Sequence, residues 1–320
     1  MTRALPLHHH LRDASPLVYG CMALGGDWGG GPLTEADIAQ AHAAVEAALE
    51  VGITLFDHAD IYRRGKAEAV FGQLLKRDPG LRARVRLQSK CGIRFADDTA
   101  VGRYDLSAAY IEASVDGILQ RLGVEQIDIL LLHRPDALME PAEVAHAFER
   151  LKAAGKVKHL GVSNMHAGQM RWLQTALAEP LVVNQLELSL AKLDAIDVGT
   201  TFNDPQAATR PGGIAWAGTL EYAQQHGVQL QAWGSLAQGR FNDPAASAAA
   251  KVVHEIAEAH RTTANAVLLA WLLRHPAGIQ PIIGSGNAER IRACGDATRI
   301  QLSREEWYRL YVTARGQALP

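Results

Sequence analysis

The sequence predicts a closed barrel of eight parallel strands surrounded by helices, a (β/α)8 TIM barrel, in a single domain that spans residues 1–320. Eight short segments of mainly apolar and β-branched residues alternate with segments in which apolar residues recur at helical spacing. No linker interrupts this alternation, and strands that strictly alternate with helices are typical of a parallel sheet. The length of the chain fits one closed barrel of such units.

The strands are predicted from short runs of apolar residues that are bounded by glycine, proline or polar turns. The run at residues 127–132 is almost wholly apolar, as is usual for parallel strands that are buried on both faces. In chain order, the predicted strands cover residues 17–22, 53–56, 85–89, 127–132, 157–162, 181–184, 228–233 and 281–283.

The helices are predicted from apolar residues at helical spacing, with boundaries taken from capping residues. Thr34 and Ser107 are N-caps, and Ser303 forms a capping box with Glu306. After the sixth strand the alternation pauses, and the long polar segment 191–214 is interpreted as a loop that faces the substrate. In chain order, the predicted helices cover residues 35–50, 66–77, 107–122, 141–154, 167–178, 216–226, 246–260, 263–274, a stretch that opens near 287, and 303–315.

An open, doubly wound sheet is the alternative fold for such a chain. Sheets of that kind commonly carry Gly-x-Gly-x-x-Gly after a strand, where it binds a dinucleotide. The nearest match is Gly284-Ser285-Gly286, but Glu289 occupies the position of the third glycine. The closed barrel is therefore favoured.

The composition is that of an ordinary globular protein. Hydrophobic residues make up 48% of the chain, enough for a sizeable core, and the formal net charge is −2. This balance gives no sign of a basic surface for nucleic acid. The N-terminus lacks the apolar segment of a signal peptide, and no apolar run approaches the roughly 18 residues needed to cross a bilayer. Neither a nucleic-acid partner nor a membrane partner is expected.

The cysteines and the N-terminal histidines bear on metal binding and on location. Cys21, Cys91 and Cys294 are far apart and form no Cys-x-x-Cys pair, so a disulfide framework or structural zinc site is not expected. Such cysteine usage favours a reducing, cytoplasmic location. The triplet His8-His9-His10 is a candidate metal-binding tract, but it is short, and a solvated loop is the preferred interpretation. We therefore predict no metal site.

Polar and ionisable residues stand at the ends of most predicted strands. In a parallel barrel the C-terminal ends of all strands face one mouth, which is where barrel enzymes place their active sites. Convergence of several such residues is a stronger signal than any one of them. The residues expected at this mouth are Asp57, Tyr62, Lys90, His133, Ser163, Asn164, Gln185 and Trp233.

A carboxylate, a phenol, an amine and an imidazole, without a serine nucleophile or a metal cluster, indicate proton transfer. Tyr62 can give a proton to an alkoxide, and a neighbouring Lys90 is expected to lower the pKa of the phenol toward the working range. A carboxylate paired with Lys90 would keep the amine charged and in place. His133 is then suited to orienting a carbonyl oxygen beside the phenol.

The remaining residues suit an aromatic amide. Ser163, Asn164 and Gln185 are neutral donors and acceptors for an amide group, and Trp233 offers a flat face for an aromatic ring. An amide-bearing ring beside a carbonyl and a proton donor describes nicotinamide-dependent carbonyl reduction.

With these residues in place, the sequence resembles the aldo-keto reductase family. The matching segments follow the family's order and cover nearly the whole chain, and their combination is specific although each piece alone is not. They are Phe56-Asp57-His58-Ala59-Asp60-Ile61-Tyr62, Ser89-Lys90, Leu132-His133-Arg134-Pro135-Asp136, Gly161-Val162-Ser163-Asn164, Asn184-Gln185 and Ile283-Gly284-Ser285.

The resemblance implies reduction of aldehydes or ketones to alcohols by hydride transfer from nicotinamide C4. It implies that Tyr62 is the general acid, that Lys90 and Asp57 tune it, and that His133 orients the substrate. The carboxamide would lie on Ser163, Asn164 and Gln185, and the ring would stack on Trp233, where the family commonly has tyrosine. The other implied cofactor contacts are Ser235, Leu236, Gly239 and Arg240 at the pyrophosphate and Gly284, Ser285 and Arg290 at the adenosine end.

The resemblance also implies NADPH in preference to NADH. Arg290 and the positive end of a helix that begins near Asn287 can hold an adenosine 2′-phosphate. Gly284 departs from the family pattern, which often has a lysine immediately before the serine. NADPH is therefore predicted on two grounds. Ser285 and Arg290 suit the 2′-phosphate, and reducers of this family generally use NADPH.

Two other functions remain open at the level of sequence. The first is a Schiff-base aldolase with Lys90 as nucleophile, which would require a desolvated lysine without a paired carboxylate. The second is a regulatory subunit that binds NADPH without turnover. A broad reducer of small-molecule aldehydes and ketones is the expected activity, with a pocket walled by the segments 25–31, 92–104 and 191–214.

Overall fold

The computed structural model describes residues 4–200 and 216–320, and its centre is a closed barrel of parallel strands. In chain order the strands are β1 Val18–Gly20, β2 Leu55–Asp57, β3 Arg86–Cys91, β4 Ile93–Arg94, β5 Arg103–Tyr104, β6 Ile127–Leu132, β7 Val157–Ser163, β8 Val183–Glu187, β9 Gln229–Trp233 and β10 Gln280–Ile283. The barrel closes in the order β1-β10-β9-β8-β7-β6-β3-β2, while β4 and β5 form a separate antiparallel hairpin. The predicted closed barrel is confirmed, and the open sheet is wrong.

Helices follow most barrel strands and pack around the barrel, and their starts agree with the predicted caps. Thr34, Ser107 and Ser303 each accept a hydrogen bond from a backbone N–H of the first helical turn. In the described residues the α-helices are α1 Glu35–Glu50, α2 Lys66–Arg77, α3 Leu81–Arg84, α4 Ala108–Leu122, α5 Pro141–Ala153, α6 Ala167–Gln174, α7 Asp194–Asp197, α8 Thr219–His226, α9 Ala248–Ala259, α10 Ala264–Leu273, α11 Ala288–Cys294 and α12 Arg304–Arg315.

The largest differences from the predicted boundaries lie around α6 and β8. The helix predicted at 167–178 ends at Gln174 because that side chain bonds the following turn, donating to the Glu179 carbonyl (2.9 Å) and accepting from the Leu181 N–H (3.0 Å). The strand predicted at 181–184 starts later and continues to Glu187. Sequence periodicity gave no sign of the β4–β5 hairpin, because each of its strands has two residues.

The N-terminal turn Pro6–His9 packs against the barrel and is not the solvated loop predicted for the histidine triplet. Leu7 is fully buried in an apolar cluster with residues of five barrel strands, including Val18 and Leu55. His8 Nε2 donates to the Ala14 carbonyl (2.9 Å), and His9 is the exposed member of the triplet. Hydrophobic contact by Leu7 therefore holds this turn in place.

Strand register brings the predicted site residues to one mouth of the barrel. Asp57 pairs with Gln88 of β3, two residues before Lys90, and Ser163 of β7 pairs with Gln185 of β8. The three cysteines are buried and free of disulfides. In the part of the chain that the structure describes, no helix combines the length and apolar character needed to cross a membrane.

Candidate active site

Asp57 and Lys90 form a buried ion pair at the ends of two adjacent strands. Lys90 Nζ donates to Asp57 Oδ1 (2.8 Å), to Asp57 Oδ2 (2.7 Å) and to the His58 carbonyl (2.7 Å). Burial acts to lower the pKa of Lys90, but the Asp57 charge and the neighbouring Tyr62 outweigh it, so that the pKa lies above its usual value. Lys90 is thus a fixed ammonium group, as the pairing predicted from sequence requires.

Tyr62 lies beside this pair, at the start of a short turn that follows β2. The Lys90 ammonium is 4.7 Å from the centroid of the Tyr62 ring. Burial raises the pKa of Tyr62, and Lys90 only partly opposes this, so the pKa remains above its ordinary value. The expectation that Lys90 brings the phenol down toward neutral pH is therefore wrong for the protein alone, because desolvation dominates. The phenol is protonated at neutral pH and available as a proton donor.

His133 completes this group from the end of β6. Its ring centroid lies 6.0 Å from that of Tyr62, in an edge-on arrangement. Burial, together with the charges of Lys90 and Arg134, holds the pKa of His133 well below its usual value, so the imidazole is neutral. Its Nδ1 is buried and has no hydrogen-bond partner in the described residues. A neutral ring of this kind can orient a polar group without adding charge.

Ser163, Asn164, Gln185 and Trp233 lie together on the adjoining strands. Ser163 Oγ donates to the Gln185 carbonyl (2.9 Å), and Asn164 Nδ2 donates to Ser163 Oγ (2.7 Å). Asn164 adopts φ 60°, a left-handed conformation that asparagine tolerates better than most residues. Its Oδ1 accepts from Trp233 Nε1 (3.1 Å). These contacts fix an amide and an indole at the edge of the mouth.

Two neighbours of the site were not among the predicted residues. Gln88, two residues before Lys90 on β3, donates through Nε2 to Asp57 Oδ1 (2.6 Å). A polar residue on the same face of a buried strand as Lys90 is the signal that could have identified it. Arg134 places its guanidinium carbon 5.7 Å from the centroid of the Trp233 ring. The indole ring that the sequence assigns to cofactor stacking thus has a cation beside one of its faces.

The predicted pyrophosphate loop follows β9. Ser235 is buried, and its Oγ donates to the Ile282 carbonyl (2.6 Å), so this hydroxyl ties the loop to β10. Gln238 and Gly239 have φ of 54° and 79°, and the loop therefore turns tightly back on itself. Arg240 is exposed at its end, and Leu236 is half-buried. A cation beside a compact loop suits a phosphate group.

The predicted adenosine end follows β10, next to this loop in the barrel. The Ser285 carbonyl accepts from the Tyr19 hydroxyl (2.9 Å), and Asn287 caps α11 by accepting from the Arg290 N–H (3.0 Å). Gly284 and Arg290 are exposed, and Arg290 forms no ion pair within residues 4–200 and 216–320. Its charge is therefore available to a ligand anion.

The predicted pocket walls are only partly described. Asp27 in the glycine-rich loop pairs with Lys66 (2.8 Å), and Arg63 lies 5.2 Å from the Trp28 ring centroid. Of the segment 191–214, residues 191–200 contain α7, and the remainder lies outside the described residues. The described chain has no group of three or more His, Cys, Asp or Glu side chains that could hold a metal ion.

Comparison with known proteins places this chain in a family. The model of the aldo/keto reductase family matches residues 16–311. A 6-dehydroglucose reductase of Agrobacterium fabrum is 38% identical over 95% of this chain and 96% of its own length. The oxidoreductase YdhF of Escherichia coli is 37% identical over 86% of this chain and 88% of its own length.

Solved structures agree in fold. An aldo/keto reductase of Klebsiella pneumoniae, crystallised with NADP and acetate, has a TM-score of 0.71 and 26% identity over 93% of this chain and 90% of its own. The glycerol dehydrogenase of Gluconobacter oxydans, at 23% identity, has a TM-score of 0.77 over 96% of this chain and 94% of its own. The predicted oxidoreductase class is confirmed by the family match, which spans nearly the whole sequence. The chain belongs to the aldo/keto reductase family.

Proposed function

We propose that the protein reduces small-molecule aldehydes or ketones to alcohols with NADPH, and that Tyr62 is the proton donor. The observation that carries this proposal is that the ends of β2, β3 and β6 lie side by side. They bring the protonated phenol of Tyr62 next to the buried Lys90–Asp57 pair and the neutral imidazole of His133. The phenol, the ammonium and the imidazole each have the protonation state that carbonyl reduction needs at neutral pH.

When bound, NADPH would supply the hydride, from nicotinamide C4, that reduces the carbonyl carbon. Neutral His133 orients the carbonyl oxygen toward the Tyr62 hydroxyl. Tyr62 gives its proton to that oxygen as negative charge develops there, and the Lys90 ammonium stabilises the resulting phenolate. Asp57 keeps Lys90 charged and aimed, through two hydrogen bonds of 2.8 and 2.7 Å.

The residues around the site fit a nicotinamide dinucleotide. Ser163, Asn164 and Gln185 supply neutral polar atoms for the carboxamide, and Gln185 Oε1 accepts no hydrogen bond within the described residues. Trp233 supplies the stacking face. The NADP complex of the Klebsiella pneumoniae relative supports this cofactor class. The other proposed contacts are Ser235, Leu236, Gly239, Arg240, Gly284, Ser285 and Arg290.

NADPH preference rests on Ser285 and Arg290, because an exposed guanidinium that forms no ion pair with the described residues suits a 2′-phosphate. Initial rates with NADPH and NADH at matched concentrations test it. Catalytic efficiency that is higher with NADPH is expected. Comparable or higher efficiency with NADH would overturn the preference.

The decisive experiment on the proton donor is the variant Tyr62→Phe. We expect aldehyde reduction to be lost while NADPH binding, followed by protein fluorescence, is retained. Tyr110→Phe is the matched control, because the Tyr110 hydroxyl donates to the Ile93 carbonyl (3.2 Å) and takes no part in the site. Retained turnover in Tyr62→Phe would remove the proposed acid.

The substrate panel should contain aromatic aldehydes, ketones, quinones and dehydro sugars. The last class is included because two relatives, at 38% and 36% identity, are 6-dehydroglucose reductases. Oxidation of NADPH over many turnovers with any panel member separates an enzyme from a regulatory subunit that only binds the cofactor.

The aldolase alternative is opposed by the state of Lys90. A Schiff-base lysine must be deprotonated to attack a carbonyl, whereas the pKa of Lys90 is raised and its ammonium is paired with Asp57. Borohydride in the presence of a carbonyl substrate should trap no adduct at Lys90.

A further inference from the structure

Four buried glutamines occupy the interior of the barrel next to the proposed site. Barrel interiors are usually filled by branched apolar side chains, and a buried amide is tolerated only when its hydrogen-bonding groups are paired. The four residues come from four different strands and are at most 2% exposed, and they are Gln88, Gln185, Gln231 and Gln280.

These amides form one connected hydrogen-bond chain. Gln88 Nε2 donates to Asp57 Oδ1 (2.6 Å) and to Gln231 Oε1 (2.8 Å), and Gln185 Nε2 donates to the same two oxygens (3.1 and 3.2 Å). Gln231 Nε2 donates to Gln88 Oε1 (3.2 Å) and to Gln280 Oε1 (3.1 Å). Gln280 Nε2 donates to the Ser15 carbonyl (2.5 Å).

The two ends of this hydrogen-bond chain fix the orientation of every amide group in it. A backbone carbonyl and a carboxylate can only accept hydrogen bonds, so the Ser15 carbonyl and Asp57 each require an N–H group. Gln280 must therefore turn its Oε1 toward Gln231, and Gln231 must turn its own Oε1 toward Gln185. Both N–H groups of Gln185 are then engaged, and Oε1 is the atom left for a ligand.

We propose that Gln231 and Gln280, together with Gln88, are positioning residues that hold Gln185 so that its Oε1 accepts a hydrogen bond from the N–H2 group of the nicotinamide carboxamide. This role rests on the proposed function, because it requires the nicotinamide to lie beside Gln185. It makes the site selective for a ring substituent that donates a hydrogen bond.

The probe is 3-acetylpyridine adenine dinucleotide phosphate, in which an acetyl group without N–H replaces the carboxamide. Dissociation constants for this analogue and for NADP+ are measured by tryptophan fluorescence. We expect the wild-type protein to bind NADP+ about three- to tenfold more tightly than the analogue, the value of one hydrogen bond. The ratio used below is the dissociation constant of the analogue divided by that of NADP+. In Gln231→Met this ratio should fall by about twofold or more, because one N–H of Gln185 loses its acceptor and the amide rotates.

Gln280→Met and Gln229→Met complete the design. Gln280→Met, which removes the anchor at Ser15, should lower the ratio in the same direction and serves if Gln231→Met does not fold. Gln229→Met is the matched control on the same strand, since the Gln229 amide bonds the Leu230 and Gly278 carbonyls and the Leu7 N–H instead of the site. It should lower the melting temperature while leaving the ratio unchanged.

The outcomes separate this role from the function on which it rests. A wild-type ratio in the stated range that falls in Gln231→Met or Gln280→Met, but not in Gln229→Met, supports the positioning role. The positioning role is overturned if the ratio is unchanged in folded Gln231→Met and Gln280→Met, or if it falls equally in Gln229→Met. A wild-type protein that reduces aldehydes but binds both dinucleotides equally overturns the positioning role alone. Failure of the wild-type protein to bind either dinucleotide overturns the proposed function as well.

Discussion

His58 is a fully buried histidine whose protonation opposes folding. Its Nε2 lies 3.4 Å from Cys21 Sγ, its ring centroid lies 4.8 Å from that of Phe71, and its backbone carbonyl receives the Lys90 ammonium. Burial, with a further contribution from the charge of Lys90, lowers the pKa of His58 from 6.5 to about 3. The folded protein therefore excludes a proton that the unfolded chain binds in mild acid.

The loss in the free energy of unfolding at acidic pH follows from the linkage between proton binding and folding. Well above pH 6.5 neither state binds this proton, and His58 contributes no pH dependence. Between pH 6.5 and about 3 the unfolded state binds more protons, so the free energy of unfolding falls as pH falls, by about 1.4 kcal/mol per pH unit. At pH 5.0, about 1.5 units below 6.5, the loss attributable to His58 is about 2 kcal/mol.

The assay is urea denaturation at pH 7.5 and pH 5.0. The wild-type protein should lose about 2 kcal/mol more between these pH values than His58→Leu, whose side chain is apolar and does not titrate. His9→Gln, which alters an exposed histidine, should behave as the wild type. Comparing each protein with itself at two pH values removes any constant effect of the substitution. Equal losses in the wild type and His58→Leu would refute the buried, neutral state of His58.

Three further predictions concern the ion pair, a helix contact and the cofactor. Lys90→Met should lower the free energy of unfolding by about 3–5 kcal/mol because it strands a buried carboxylate, and adding Asp57→Asn should restore most of it; a double variant as unstable as the single one contradicts this. Gly72→Ala should cost about 1–3 kcal/mol, read from thermal denaturation, because its Cβ would overlap the Arg121 carbonyl oxygen, and an unchanged melting temperature argues against the contact. Arg290→Ala should raise KM for NADPH more than for NADH in steady-state assays, and equal changes would exclude a 2′-phosphate contact.

Local signals were sufficient for much of the fold. The apolar run at Ile127–Leu132 and the helix Lys66–Arg77 have the predicted bounds, because continuous burial and helical periodicity are properties of adjacent residues. The predicted bounds of β8 were wrong because its polar residues are buried inside the barrel, where Gln185 forms hydrogen bonds with residues of β2 and β9. No local pattern can supply partners that come from distant strands.

The sequence by itself determined the order of the eight barrel strands, and with it which residues stand at the mouth of the barrel. Only the tertiary structure decided their chemical state. It showed that burial outweighs Lys90 in setting the pKa of Tyr62, and that Gln88 supports Asp57 from the neighbouring strand. The physical reason is that desolvation and hydrogen bonding depend on distances between groups on separate strands, which closure of the barrel fixes.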